Sequence, residues 1–160
     1  MEFGPTVAIL DIVARLTANG AVTHLESQAG STMVVPRLLI TDDDLAVRRA
    51  IADVFRGLEF HVSLASDGDE AIEMIETSKI HLILIDVHMP RVSGLEVMRH
   101  VRSQNSIVPF ILMSGAVDES IEREAHEMRV YRVLSKPLRA LTVRQTVMHG
   151  LRDAYGWKVG

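Results

Sequence analysis

The apolar run LILID, Leu82 to Asp86, stops on a carboxylate and leads into the loop VHMP, marked by Pro90. Earlier in the chain a second apolar run, Leu38-Leu39-Ile40-Thr41, ends on Asp42-Asp43. A later one, Val133-Leu134-Ser135, ends on Lys136-Pro137, and Phe110–Met113 runs into Ser114-Gly115. Three carboxylates, one ammonium and one hydroxyl at the ends of buried strands describe a single charged site for a cation and a phosphoryl group. Like charges about 4 Å apart repel by about 4 kcal/mol at an effective dielectric near 20. Such a cluster requires a cation or a proton. An oxygen-only set with no Cys and no His pair favours a hard ion, Mg²⁺ or Mn²⁺, that keeps part of its water. The other histidines, His24, His61, His81, His100, His126 and His149, are scattered without metal-binding spacing.

An aspartate is already ionised at neutral pH, so as a nucleophile it needs no general base. It needs an in-line phosphoryl donor and charge to neutralise the transferring oxygens. Lys136 offers that charge, and the Ser114 hydroxyl can donate to a phosphoryl oxygen. The product is an acyl phosphate, which water can hydrolyse at the same place.

The elements that must position these groups alternate five times from Arg37 onward. Strands are expected at Leu38–Thr41, His61–Ala65, Leu82–Asp86, Phe110–Met113 and Tyr131–Ser135. Helical periods separate them: Leu45–Leu58, a stretch around Ala71, Ile72 and Ile75, another around Leu95–Val101, the polar Asp118–Met128, and a last one from about Arg139 to Ala154. The first and third strands are continuously apolar, as strands buried on both faces of a parallel sheet read. Each connection is long enough for a right-handed crossover helix. The expected fold is a doubly wound α/β domain with a five-stranded parallel sheet in the order 2-1-3-4-5. Its functional loops lie at the carboxyl ends of the strands, and Asp42, Asp43 and Asp86 converge at the central switch point. Asp44 is placed to cap the first helix.

The chain has 160 residues, enough for one domain with a full core, and its 48% apolar and 24% charged content is ordinary for a globular protein. A net charge of −4 without a long basic run gives no nucleic-acid footprint. Cysteine is absent, which excludes disulfides and thiol chemistry and fits a cytoplasmic setting. Residues 1–36 stand apart. Pro5 to Asn19 could form one amphipathic helix with an Asp11–Arg15 pair, followed by a linker at Gly30-Ser31-Thr32. That extension reads either as a non-native leader or loosely docked appendage, or as a dimerising or docking helix. Its apolar stretch, Thr6–Leu16, is interrupted by Asp11 and Arg15 and is too short to cross a bilayer. Domain bounds are expected at 37–155, with 156–160 as a tail.

From about Val35 to Ala154 the chain resembles the receiver domain of two-component response regulators, a CheY-like, flavodoxin-like fold. The resemblance rests on LLITDDD (Leu38–Asp44), LILIDVHMPRVSG (Leu82–Gly94), ILMSG (Ile111–Gly115) and LSKP (Leu134–Pro137). It implies that Asp86 is the phosphoacceptor and that Asp42 and Asp43 are the acidic metal pair. It implies further that the His88 backbone carbonyl is a metal ligand, that Ser114 is the switch hydroxyl, and that Lys136 is the site lysine, with a cis bond before Pro137. The implied partner is a histidine kinase or histidine phosphotransfer protein, and a homodimer could form through the fourth helix, fifth strand and fifth helix. The implied role is signalling, with self-catalysed, Mg²⁺-dependent phosphorylation and dephosphorylation. No direct nucleic-acid or membrane binding is implied for the domain.

One position departs from the family. The aromatic expected three residues before the lysine is Val133 here, and Tyr131 is expected on the same strand face, nearly 7 Å along. An alternative reading is therefore a degenerate receiver that binds partners without phosphorylation. Asp42-x-Asp44 also resembles the nucleophile motif of haloacid dehalogenase-type phosphatases. Ala46 stands where that motif wants Thr or Val, and the chain has little room for a cap domain. No Gly-rich phosphate loop follows the first strand, which argues against a nucleotide-binding domain.

Overall fold

The structure is a computed structural model that describes residues 34–158. The helix and linker expected within residues 1–33 lie outside the described residues. Five strands, β1 (Arg37–Thr41), β2 (His61–Ala65), β3 (Leu82–Asp86), β4 (Phe110–Ser114) and β5 (Arg132–Ser135), form one sheet in the order β2-β1-β3-β4-β5. Every pairing is parallel, with Leu38 beside Leu82 and Asp86 beside Met113. Five helices connect and flank the strands: α1 (Leu45–Val54), α2 (Gly68–Thr77), α3 (Gly94–Ser103), α4 (Glu119–Glu127) and α5 (Ala140–Tyr155). This is the expected doubly wound, flavodoxin-like arrangement.

The pleat sends alternate side chains of the central strands to opposite faces. Leu39, Ile83, Ile85, Phe110 and Leu112 face one core with residues of α2, α3 and α4. Leu38, Ile40, Leu82, Leu84, Ile111 and Met113 face a second core with Ile51, Val143, Val147 and Leu151 of α1 and α5. All residues of β3 and β4 are buried, and β1 is buried after Arg37, which accounts for the continuously apolar reading of the first and third strands. Each fully buried Leu, Ile or Phe contributes about 1.5–3 kcal/mol. The central strands are therefore the rigid base from which the charged loops project.

Helix starts follow side-chain capping. Asp44 accepts from the Ala46 and Val47 N–H groups, as expected. Asp67 and Asp118 cap α2 and α4, and Ser93 with Glu96 forms a capping box on α3. Helix α1 ends earlier than the periodicity suggested. Phe55–Leu58 form a turn instead, reversed at Gly57 with φ +79. Leu45 starts the apolar period of this helix yet is 47% exposed, because it opens α1 at the rim above the core.

Tyr131 departs from the expectation more sharply. β5 begins at Arg132, so strand alternation does not reach Tyr131. Val133 packs with the α2–α3–α4 core, whereas Tyr131 packs with the α1–α5 core. Its hydroxyl donates to Asp153 on α5 at 2.8 Å. Its ring fits against Gly150, where a Cβ would come within 3.3 Å of the ring edge. Tyr131 and Val133 therefore lie on opposite faces, and Tyr131 does not stand in for the missing aromatic.

Candidate functional site

The carboxyl ends of β1, β3, β4 and β5 bring the sequence-selected residues together. Asp42, Asp43 and Asp86 each offer a carboxylate oxygen within 4.8 Å of the other two. Asp42 and Asp86 are buried and Asp43 is exposed. Asp42 is held from several directions. Its Oδ1 accepts from the Asp44 N–H at 2.9 Å, and its backbone carbonyl accepts from the Arg48 guanidinium at 2.5 Å. Its Oδ2 accepts from Lys136 Nζ at 2.7 Å. The same Nζ lies 3.3 Å from Asp86 Oδ1, so one ammonium bridges two strand-end carboxylates.

These contacts set the charge balance. Burial pushes the Asp86 carboxyl above the ordinary aspartate range. The Lys136 charge pulls it down, the Asp42 charge adds to the rise, and the His88 backbone N–H, which donates to the carboxylate, lowers it again; burial with Asp42 prevails. For Lys136, burial works against the charged form. The hydrogen bond to Asp42 and the two carboxylate charges outweigh it and hold the ammonium above its usual value. One ammonium against three carboxylates leaves the cluster with excess negative charge.

Ser114 ends β4, immediately beyond the residue paired with Asp86, and is fully buried. Its hydroxyl donates to the Ala116 carbonyl at 2.8 Å and accepts from the Ala116 N–H at 3.2 Å. It is thus turned into its own loop. The His88 side chain is exposed, and only its backbone reaches the carboxylate cluster. The peptide bond between Lys136 and Pro137 is cis, as the resemblance implied.

Several supporting residues carried no sequence signal of their own. Arg48 reaches back from α1 to the Asp42 carbonyl, a contact that only the turn of the β1–α1 loop creates. Gly94 owes its place to close approach. A Cβ there would sit 2.3 Å from the Asp86 carbonyl oxygen. Its N–H donates to the Val87 carbonyl and closes the β3–α3 loop. Arg91, in the left-handed region at φ 67, reaches across to Asp67 at 2.9 Å and ties that loop to the start of α2.

The family model for the response regulator receiver domain matches residues 38–148. The chain belongs to the response regulator receiver domain family. The response regulator MprA of Mycobacterium ulcerans is 42% identical over 92 residues, covering 56% of this chain and 38% of MprA. Response regulator RR06 of Streptococcus pneumoniae serotype 2 is 29% identical over 118 residues, covering 74% of this chain and 54% of RR06. The chain thus spans about half or less of the length of these relatives. The chemotaxis protein CheY4 of Vibrio cholerae shares the fold, with a TM-score of 0.69 and 23% identity over 74% of this chain and 100% of CheY4. This receiver domain is therefore a module of two-component signalling. Among its described residues, no helix is long and apolar enough to cross a membrane.

Proposed function

We propose that this receiver domain takes a phosphoryl group from a histidine kinase or histidine phosphotransfer protein onto Asp86. The observation that supports this most directly is the placement of Lys136, within 2.7 Å of Asp42 and 3.3 Å of Asp86. An Asp86 oxygen attacks phosphorus in line with the donor. The P–N bond to the donor imidazole breaks, its electron pair stays on the imidazole, and an acyl phosphate forms on Asp86. Lys136 neutralises charge on the transferring oxygens. Hydrolysis by water reverses the state, so the domain catalyses its own loading and unloading without being an enzyme toward another substrate.

The donor set fits Mg²⁺ or Mn²⁺: three carboxylates, two of them buried, with a charge that Lys136 only partly offsets. Asp42, Asp43, Asp86 and the His88 backbone carbonyl would hold the ion. When bound, it offsets the cluster's excess negative charge and that of the incoming phosphoryl group. Ser114 then gives up its bond to Ala116 and donates to a phosphoryl oxygen. That change shifts the β4–α4 loop and the face of α4, β5 and α5, a population shift driven by new contacts to the phosphate. Signalling through this face, including self-association, belongs to the same reading, as does a cytoplasmic setting.

The test is intact-mass spectrometry after incubation with acetyl phosphate, with Mg²⁺ or with EDTA. One phosphoryl adduct is expected with Mg²⁺, none with EDTA and none in Asp86→Asn. No adduct in the wild type with Mg²⁺ would overturn the proposal and favour a receiver that acts by binding alone.

A further inference from the structure

At the opposite end of the sheet from Asp86, the chain after α5 folds back over the amino ends of the central strands. Gly156 adopts φ +71 and its N–H donates to the Arg152 carbonyl, which ends α5 and reverses the chain. The reversal lays the Trp157 ring on the Tyr155 ring, with centroids 4.5 Å apart and planes inclined by 22°. Both rings meet His81, the residue before β3, edge-on: Tyr155 at 5.9 Å and Trp157 at 4.9 Å. The Tyr155 hydroxyl donates to the His81 carbonyl at 2.9 Å.

His81 itself is 5% exposed. Its Nδ1 accepts from the Arg37 N–H at 3.0 Å, while its own N–H donates to the Arg37 carbonyl at 2.8 Å. That bond requires Nδ1 to be unprotonated, so the ring is the neutral tautomer with hydrogen on Nε2. Nε2 is buried without a hydrogen-bond partner, closed in by the two aromatic rings. The site therefore accommodates one ring proton and no second one.

We propose that His81, Tyr155 and Trp157 form an acid-labile clasp that holds the C-terminal segment to the base of the sheet and releases it when the imidazole gains a second proton. A proton on Nδ1 sets donor against donor at the Arg37 N–H and removes that hydrogen bond. The surroundings offer the new charge no counter-ion. Arg37 on β1 and Lys79 in the α2–β3 connection are cations that oppose it, the Tyr155 hydroxyl of α5 is spent on the His81 backbone carbonyl, and Trp157 of the tail is neutral. No acidic group is among the charges acting on His81. Burial first, then Lys79 and Arg37, hold its pKa below the ordinary histidine value. A depressed folded value means that the clasp is stable above the unfolded imidazole pKa. It is lost as pH falls through the folded one.

Trp157 is the only tryptophan in the sequence, so it reports on the clasp directly. The experiment is acrylamide quenching of Trp157 in the full chain across pH 7.5 to 4.5, with far-UV circular dichroism recorded alongside. The expected result is a rise in quenching of about twofold or more while helicity stays constant. His81→Gln keeps an acceptor for the Arg37 N–H and does not titrate, so its quenching should stay flat over the same range. Tyr155→Leu removes the stacked partner and should give the open, strongly quenched state at every pH. Constant quenching in a folded wild type would overturn the proposal, as would a step that survives in His81→Gln. Should either substitution fail to fold, ¹⁵N imidazole shifts of wild-type His81, followed against Trp157 quenching, decide the matter. Coincident midpoints support the clasp and separated midpoints refute it.

Discussion

Replacing Asp86 by Asn should stabilise the fold, although it removes a partner of Lys136. Asp86 Oδ1 lies 3.3 Å from Lys136 Nζ, an attraction of about 5 kcal/mol at an effective dielectric of 20. Asp42 and Asp43 present oxygens within 4.8 Å, a repulsion of about 3.5 kcal/mol each at the same dielectric, less for exposed Asp43 because solvent screens it. Attraction and repulsion thus nearly cancel, and the cost of burying the carboxylate is left over. An incompletely compensated buried polar group costs on the order of 1–3 kcal/mol. Asn keeps an oxygen to accept from Lys136 and from the His88 N–H and discards the charge. The expected gain is about 1–2 kcal/mol, or a rise in Tm of roughly 3–10 °C for a domain of this size. Thermal unfolding by circular dichroism in EDTA at pH 7.5 measures it. The pH dependence adds an internal check. The folded pKa of Asp86 lies above its unfolded value, so the folded state binds more protons between the two. The wild type is penalised as pH rises through that window, and the gap to Asp86→Asn should shrink as pH falls back through it. An Asn variant that melts at or below the wild-type temperature at pH 7.5 would refute the charge balance described for the site.

Other perturbations test the same architecture. Mg²⁺ should stabilise the fold by about 2.7 kcal/mol at a hundredfold excess over Kd, seen as a raised Tm, and Asp42→Asn with Asp43→Asn should abolish the rise; an equal rise in the double variant would place the ion elsewhere. Lys136→Met leaves Asp42 and Asp86 without their shared cation and should cost about 3 kcal/mol, the lower end for a broken buried pair because the ammonium is 24% exposed. Urea unfolding showing a loss under about 1 kcal/mol would contradict that. Gly94→Ala drives a methyl to within 2.3 Å of the Asp86 carbonyl oxygen and should cost about 2 kcal/mol or more, seen as a lowered urea midpoint with unchanged slope; an unchanged midpoint would show that the β3–α3 loop yields freely.

The parallel sheet was legible because burial on both faces leaves a plain trace. Leu82–Ile85 has no polar interruption, and Asp86 breaks the run where the strand leaves the core. The candidate site was legible for the same reason: Asp42, Asp86, Ser114 and Lys136 are polar residues at points where apolar runs stop. What escaped the sequence depends on three-dimensional detail. Tyr131 sits one residue outside β5, and a period of two extrapolated past the strand end assigns it to the wrong face. Leu45 fits a helical apolar period yet stands above the core rim. His81 looked like one scattered histidine among seven, since nothing local announces that Gly156 returns Trp157 to cover it. The hydrogen bond of Ser114 to Ala116 is likewise a matter of loop conformation rather than residue type.

The central claim is that the phosphoryl group resides on Asp86. The direct measurement is borohydride reduction of the acetyl phosphate-treated protein, followed by tandem mass spectrometry of the peptides spanning residues 38–44, 82–94 and 110–118. An acyl phosphate is reduced to the alcohol, so homoserine is expected at position 86 alone, and only when Mg²⁺ was present during loading. Homoserine at position 42 or 43, or an unmodified Asp86 in protein that carries the phosphoryl mass, would contradict the account.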